Sequence, residues 1–166
     1  MKIKLVITDI DGVWTDGGMY YDSQGNETKK FNTSDSAGVL FLKHNHIPLA
    51  IMTGEANIIV VNRAKKLNIK HIFLGVKDKL SCAKVLCNEL NINLENVAFI
   101  GDDINDIHLL KSVGFSACPN NAPVYIKDKV DLVLKTNGGD GAFRIFIETL
   151  LNKLGLWEKT ISHFVK

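Results

Sequence analysis

The sequence has no long hydrophobic run and no excess of charge of one sign. Although 46% of its 166 residues are hydrophobic, no apolar segment approaches the roughly 20 residues that span a bilayer. There are 20 Lys and Arg against 18 Asp and Glu, a net charge of +2, and the basic residues are scattered along the chain. We therefore expect neither a membrane protein nor a nucleic-acid-binding protein.

Cysteine is scarce, and no targeting segment is recognisable. Cys82, Cys87 and Cys118 are odd in number and lack C-x-x-C spacing, so we interpret them as buried small apolar residues in a reducing compartment. The amino terminus, M-K-I-K-L-V-I-T-D, runs into the first predicted strand without a cleavage site. These features predict a cytoplasmic protein.

The chain does contain short β-branched runs that alternate with segments of helical periodicity. We expect strands at 2–9, 48–52, 71–73, 97–100 and 132–134, and helices at 37–45, 56–67, 79–90, 106–113 and 142–154. This alternation predicts an α/β fold, a three-layer, Rossmann-like parallel sheet with helices on both faces. Length and composition favour one domain over residues 1–166.

One segment interrupts the alternation directly after the first strand. Following a Gly-Gly pair, the chain reads M-Y-Y, D-S-Q-G-N and E-T-K-K-F-N, which is typical of two strands around a turn. We expect a β-hairpin flap over about residues 14–31. It would stand over the carboxyl end of the first strand, where open α/β sheets bind their ligands.

Polar residues follow four of the predicted strands, and these loops should meet at one edge of the sheet. The four loops contribute Asp9 and Asp11; Thr53, Gly54 and Glu55; Lys77, Asp78 and Lys79; and Gly101, Asp102, Asp103, Asn105 and Asp106. Burying several carboxylates together is costly because like charges repel. Bound Mg²⁺, which prefers oxygen ligands, would offset that repulsion.

With a metal present, these residue types fit phosphoryl transfer through a carboxylate nucleophile. We expect Asp9 to be the nucleophile, and Asp11 to protonate the leaving alkoxide and then deprotonate the attacking water. Thr53 and Gly54 would donate to the phosphoryl oxygens, while Lys79 stabilises their negative charge. The expected metal ligands are Asp9, Asp11 and Asp102, supported by Asp103 and Asp106.

Four motifs carry a family resemblance that covers nearly the whole chain. They resemble the four motifs of the haloacid dehalogenase superfamily of phosphatases and occur in the same order: D-I-D-G-V, T-G after an apolar strand, D-K and G-D-D-x-N-D. Within this superfamily, the chain is similar to members of the small branch without a cap domain. The similar features are D-G-V-x-T-D-G-G, the hairpin, G-V-x-D-K-L and G-G-x-G-A-x-R. This resemblance implies a Mg²⁺-dependent phosphatase of 2-keto-3-deoxy sugar acids that forms an aspartyl-phosphate.

The resemblance also implies a homotetramer in which hairpins and C-terminal tails of neighbouring subunits close the site. The tail covers about residues 155–166, and Trp157 and Phe164 are expected to anchor it against another subunit. The residues alone leave open whether hairpin and tail close their own site or a neighbour's. They also leave open the role of Arg144.

Two positions depart from the branch members that act on the eight-carbon acid, which carry F-N-x-R-D and T-G-R or T-G-K. Here Ser34 and Glu55 replace the cations, and the pattern is similar to relatives that act on 2-keto-3-deoxynononate 9-phosphate, of the sialic acid type. We expect this nine-carbon substrate, because Glu55 can accept hydrogen bonds from sugar hydroxyls. The alternative is 3-deoxy-D-manno-octulosonate 8-phosphate, of lipopolysaccharide biosynthesis.

The resemblance further assigns a set of residues to substrate contact. They are Asn32, Thr33, Ser34, Asp35, Ser36, Gly54, Glu55, Arg63 and Lys79. Glu55 and Arg63 are eight residues apart, a spacing that puts both on one face of a helix, where they could flank a substrate or form an ion pair.

Two other functions fit the same fold. One is a non-catalytic, tetrameric interaction module. A family member that has lost activity would be expected to lose at least one catalytic residue, but this chain retains Asp9, Asp11, Lys79 and Asp102. A phosphomutase is the other. Without a cap domain to exclude water, a mutase would lose its phosphoryl group to hydrolysis.

Overall fold

A six-stranded parallel sheet forms the centre of the computed structural model, which describes residues 2–165. Met1 and Lys166, the ends of the predicted domain, lie outside the described residues. In chain order the strands are β1 (Leu5–Thr8), β2 (Tyr20–Tyr21), β3 (Glu27–Thr28), β4 (Leu49–Met52), β5 (His71–Phe73), β6 (Val97–Ile100), β7 (Phe115–Cys118) and β8 (Leu132–Val133). The sheet has the order β5-β4-β1-β6-β7-β8, and β2 pairs with β3 in a separate antiparallel hairpin.

Helices cover both faces of this sheet. They are α1 (Asp35–His44), α2 (Ile58–Lys66), α3 (Lys79–Glu89), α4 (Ile107–Leu110), α5 (Val124–Lys127), α6 (Ala142–Lys153) and α7 (Trp157–Phe164). Apolar side chains of α1, α2 and α6 pack on one face, and those of α3, α4 and α5 pack on the other. The predicted three-layer α/β fold is confirmed, and residues 2–165 contain no inserted cap domain. Each helix in this range is too short or too polar to cross a bilayer.

The side chains of β1 explain why its sequence is a continuous apolar run. Val6 belongs to one core cluster, whereas Leu5 and Ile7 belong to the other. Because successive side chains of a strand point to opposite faces, a strand covered on both sides must be apolar at nearly every position. β4 and β6 are buried along their whole length for the same reason.

The strand order creates a crevice at the carboxyl end of β1. From β1 the chain continues to β4 and β5 on one side, then returns to β6, β7 and β8 on the other. At such a reversal the loops after the neighbouring strands diverge, and open α/β sheets bind ligands in the gap. The loops that follow β1, β4 and β6 therefore face the same space.

The sequence does not predict β7, whose four residues read F-S-A-C. Small and polar residues give such a short run little strand signal. In the structure, the backbone N–H and hydroxyl of Ser116 donate to the Asp131 carboxylate at 2.8 and 3.0 Å. A partner 15 residues away therefore satisfies the buried polar side chain, and local sequence cannot reveal it.

The flap begins later than the predicted residue 14, because Trp14 belongs to the core. Its side chain is fully buried and stacks on Phe143, with ring centroids 4.5 Å apart, and its indole N–H donates to Thr8 Oγ1 at 3.0 Å. The hairpin itself pairs Tyr20 with Thr28.

The C-terminal segment is a helix that packs on its own chain, and its predicted role as an anchor on another subunit stays a prediction. The Trp157 and Phe164 rings of α7 lie 5.4 and 5.5 Å from the ring of Phe41 on α1. The side-chain amide of Asn45 donates to Thr160 Oγ1 at 2.8 Å. The aromatic residues of the tail thus have partners within the chain.

We expect Trp14→Ala to lower the free energy of unfolding by about 3–5 kcal/mol, because it leaves a large cavity against Phe143 and removes the partner of Thr8. Denaturant unfolding measures this change. Tyr21→Ala, at an exposed position of the flap, is the matched control and should change the value by less than about 0.5 kcal/mol. Equal losses in the two variants would contradict a core role for Trp14.

Candidate active site

A polar cleft lies at the carboxyl edge of the sheet, in the crevice beside β1. It is lined by Asp9, Asp11, Gly12, Gly17, Thr53, Gly54, Glu55, Asp102, Asp103 and Asn105. These residues come from the loops that follow β1, β4 and β6. The structure therefore brings three of the four predicted loops to one surface, and the fourth reaches it through Lys79.

Asp9 follows β1 directly and is held through both carboxylate oxygens. The backbone N–H of Ile10 donates to Oδ1 at 2.8 Å, and Lys79 Nζ lies 2.8 Å from Oδ2. Burial raises the pKa of Asp9 to about 7, repulsion from Asp106 adds to the rise, and Lys79 opposes it. Asp9 is therefore fixed in orientation and surrounded by other charges.

Lys79 and Asp106 form the buried centre of the site. Lys79 is the first residue of α3, after the helix-capping residue Asp78, and its Nζ lies 2.6 Å from Asp106 Oδ1. Burial lowers the pKa of Lys79, but Asp9 and Asp106 outweigh that effect and raise it, so the ammonium stays charged. Asp106 Oδ2 accepts the backbone N–H groups of Asp102 and Asp103, at 2.9 and 3.1 Å, and so supports the turn after β6.

Asp102 is a carboxylate in need of a positive partner. Its Oδ1 is buried and has no hydrogen-bond partner among residues 2–165. Burial, followed by repulsion from Asp9 and Asp106, raises the pKa of Asp102 to about 8. Gly12, with φ +83°, allows the close approach of the β1 loop, because a Cβ there would lie 1.9 Å from Asp102 Oδ2.

The acidic cluster fits a divalent metal ion. Asp9, Asp102 and Asp106 each offer an oxygen within 4.8 Å of the others. With one ammonium among three carboxylates, the cluster keeps an excess negative charge that a hard cation would balance. Since Asp106 already accepts from Lys79 and two amides, Asp9 and Asp102 are the side chains that would hold the ion.

The Asp11 side chain lies outside this cluster, and its role as a metal ligand stays a prediction. Lys29 Nζ lies 2.7 Å from Asp11 Oδ1, and the Thr15 hydroxyl is at 3.4 Å. Its carboxylate is therefore directed to the flap side of the cleft. The other oxygen, Oδ2, is buried without a partner among the described residues.

The loop after β4 lines the opposite wall of the cleft. Thr53 is buried, and its Oγ1 accepts the backbone N–H of Glu55 at 3.4 Å. A Cβ on Gly54 would lie 3.4 Å from the Asn105 side-chain nitrogen, so these two residues face each other. Glu55 is exposed and makes no ion pair within residues 2–165.

The segment predicted to contact substrate, Asn32 to Ser36, makes several hydrogen bonds within the chain, and its contact with substrate stays a prediction. Asn32 donates to the Gly139 carbonyl at 3.2 Å, and the Asp35 carboxylate accepts the Arg144 backbone N–H at 3.0 Å. Burial raises the pKa of Asp35 to about 6. Thr33 is exposed, and none of the five residues lines the cleft. The contacts of Asn32 and Asp35 join the start of α1 to the start of α6.

Arg63 and Arg144 also lie away from the cleft. Arg63 Nη2 donates to Ser36 Oγ at 3.0 Å, and Arg144 Nε donates to Glu148 at 2.7 Å. The predicted common helix face of Glu55 and Arg63 is wrong, because α2 begins only at Ile58 and Glu55 precedes it.

The family model for haloacid dehalogenase-like hydrolase matches residues 53–146, more than half of the chain. The chain belongs to the haloacid dehalogenase-like hydrolases. The family predicted from the four motifs is thereby confirmed.

Relatives within this hydrolase family match nearly the whole chain. The 3-deoxy-D-manno-octulosonate 8-phosphate phosphatase of Haemophilus influenzae is 39% identical over 93% of this chain and 86% of its own length. A Moraxella catarrhalis phosphatase of the same name, solved with magnesium, phosphate and a KDO molecule, has a TM-score of 0.94 and 37% identity over 98% of this chain and 93% of its own. The Yersinia pestis structure has a TM-score of 0.90 and 36% identity, with coverages of 94% and 84%.

The sequence analysis missed Lys29 as a site residue, and it named Asn105 among the loop residues without giving it a role. Asn105 lines the cleft, and Lys29 reaches Asp11 from the flap. Asn105 lies inside the G-D-D-x-N-D motif, so the motif itself carried a signal for it. The sequence carried no comparable signal for Lys29. It lies in the hairpin directly beside Lys30, and a lysine pair there is typical of a solvated surface.

We expect Mg²⁺ at about one hundred times its Kd to raise the free energy of unfolding by about 2.7 kcal/mol. The pKa values of about 7 for Asp9 and about 8 for Asp102 lie above the usual 3.8. Between the usual pKa of 3.8 and these raised values, both carboxyl groups keep protons in the metal-free folded protein that they lose in the unfolded chain. The free energy of unfolding therefore falls as pH rises from 3.8 to about 8. The gain from Mg²⁺, which competes with those protons, should be larger near pH 8 than near pH 5.

Thermal unfolding with and without Mg²⁺ measures this gain. Asp102→Asn should remove most of it, whereas Asp128→Asn, at the exposed end of α5, should retain it. A gain that survives in Asp102→Asn would exclude Asp102 as a ligand.

Proposed function

We propose that this hydrolase removes the phosphate of 3-deoxy-D-manno-octulosonate 8-phosphate, with Asp9 as nucleophile. Its family and relatives show that the protein is a phosphatase of a sugar acid. The observation that carries the proposal is the arrangement of Asp9 at the end of β1, between the Lys79 ammonium and the unpartnered Asp102 oxygen. A carboxylate held in this way can attack phosphorus while cations balance the negative charge.

In the first step an oxygen of Asp9 attacks the phosphorus, and the bond between phosphorus and the sugar oxygen breaks. Asp11 gives a proton to the departing sugar oxygen, which leaves an aspartyl-phosphate on Asp9. Lys79 stabilises the charge on the phosphoryl group and keeps Asp9 oriented. Bound Mg²⁺, held by Asp9 and Asp102, would supply further charge neutralisation.

In the second step water attacks the phosphorus of the aspartyl-phosphate. Asp11, now deprotonated, accepts a proton from that water, and the bond between phosphorus and Asp9 breaks. Inorganic phosphate leaves, and both carboxyl groups return to their starting states. Thr53 Oγ1 and the backbone N–H of Gly54, both at the cleft wall, would donate to the phosphoryl oxygens in each step.

The eight-carbon substrate is supported by the relatives, whose names all specify it. The nine-carbon alternative is supported by Glu55, which lines the cleft and has a carboxylate free to accept hydrogen bonds from a longer polyol. Ser34 gives it less support, because its hydroxyl faces Gly141, where a Cβ would lie 2.6 Å away. A homotetramer and a cytoplasmic location stay predictions.

We expect the protein with Mg²⁺ to release phosphate from 3-deoxy-D-manno-octulosonate 8-phosphate with a higher kcat/KM than from 2-keto-3-deoxynononate 9-phosphate. Phosphate release from both compounds, assayed side by side, measures this preference. Asp9→Asn, which keeps the size of the side chain, should abolish turnover of both and serves as the blank. A higher kcat/KM for the nine-carbon acid would contradict the proposed substrate. Activity on neither compound would favour the non-catalytic alternative.

We expect Glu55→Arg to raise the ratio of kcat/KM for the eight-carbon acid over the nine-carbon acid by about tenfold, because a cation replaces an acceptor at the cleft wall. Glu89→Arg is the matched charge reversal, at the end of α3 remote from Lys79, and should leave the ratio unchanged. An unchanged ratio in Glu55→Arg would remove Glu55 from substrate discrimination.

A further inference from the structure

Lys29 of the flap is buried beside the cleft. It follows β3, and its Nζ lies 2.7 Å from Asp11 Oδ1 and 3.1 Å from Glu27 Oε1. Its side chain is only 1% exposed, although Tyr20 and Tyr21 of the same hairpin are largely exposed. Because lysine is almost never buried without a paired charge, this position points to a specific role for the contact with Asp11.

The contact fixes one oxygen of Asp11 and leaves the other available. Besides Lys29, the one partner of Oδ1 within residues 2–165 is the Thr15 hydroxyl at 3.4 Å, the limit of a hydrogen bond. Oδ2 is buried and has no partner among the described residues. A carboxyl group that transfers protons to and from a substrate needs such an arrangement, in which one oxygen anchors the group and the other faces the reacting atoms.

The same lysine joins Asp11 to the residue that caps α2. The second oxygen of Glu27 accepts from the side-chain amide of Asn57. Asn57 caps α2, where its Oδ1 accepts the Ile59 backbone N–H at 2.8 Å. A continuous series of polar contacts therefore runs from the β1 loop through the flap to the start of α2.

We propose that Lys29 is a positioning residue that holds Asp11 ready for proton transfer and links its orientation to the flap of the same chain. The proposal rests on the proposed function, in which Asp11 donates to the leaving oxygen. A purely structural ion pair, which holds the hairpin down and nothing more, is the competing explanation. The two differ in how the rate depends on the leaving group.

Leaving groups separate these explanations. A sugar alkoxide needs a proton as it departs, whereas p-nitrophenolate leaves without one. In Lys29→Met, the kcat for the sugar-acid phosphate should fall at least about tenfold while KM changes less than about threefold. The first-turnover burst of p-nitrophenolate from p-nitrophenyl phosphate should keep the wild-type rate, because that step does not use Asp11 as an acid.

Two further variants complete the experiment. Lys29→Arg retains a cation and should recover most of the lost kcat, whereas Lys30→Met, at the exposed neighbouring position, should behave as wild type. Thermal unfolding of each variant checks the fold. If Lys29→Met does not fold, Lys29→Gln, which retains a donor without the charge, takes its place and should give the same pattern.

Equal losses in the sugar-acid rate and the p-nitrophenolate burst, or no loss in either, would overturn the role of Lys29. Failure of the wild-type protein to cleave either compound would instead refute the proposed function. The two failures are therefore distinguishable in one set of assays.

Discussion

The ion pairs of the buried Lys79 ammonium with Asp9 and Asp106 are the interaction on which the site depends. Asp106 uses its remaining oxygen to hold the turn that carries Asp102, so one lysine fixes both the end of β1 and the loop after β6. Removing any one partner would leave a buried charge uncompensated, which costs more than the pair contributes. The arrangement still leaves excess negative charge, and this makes the site a place for a divalent cation.

The sheet topology provides the geometry for that interaction. β1 lies between β4 and β6, so three loops leave the sheet around one crevice, and α3 begins with Lys79 pointing into it. Gly12 is needed because the β1 loop passes so close to Asp102 that no side chain fits between them. The apolar strands thus serve the chemistry indirectly, by holding carboxylates in positions that their mutual repulsion opposes.

Sequence patterns were sufficient for the parts of the molecule that local residues determine. Apolar runs predicted most sheet strands, and the four motifs predicted the family and the residues that meet at the cleft. The patterns failed where a distant partner decides the outcome: Ser116 is stabilised by Asp131, Trp14 by Phe143, and the tail helix by α1. The Asn32 to Ser36 segment was assigned by resemblance, and its intrachain contacts with the start of α6 could not be read from spacing.

Asp9 and Asp11 are two residues apart, yet their surroundings give them different chemistry. Asp9 lies against a buried ammonium and other carboxylates, an environment suited to a metal-assisted nucleophile. Asp11 faces the flap, with one oxygen on Lys29 and the other without a partner in the described part of the chain, an environment suited to proton transfer. The flap belongs to the same chain as both carboxylates, and its Lys29 contacts Asp11 directly. Two carboxylates so close in the chain are thus distinguished by their partners, a lysine of α3 for Asp9 and a lysine of the hairpin for Asp11.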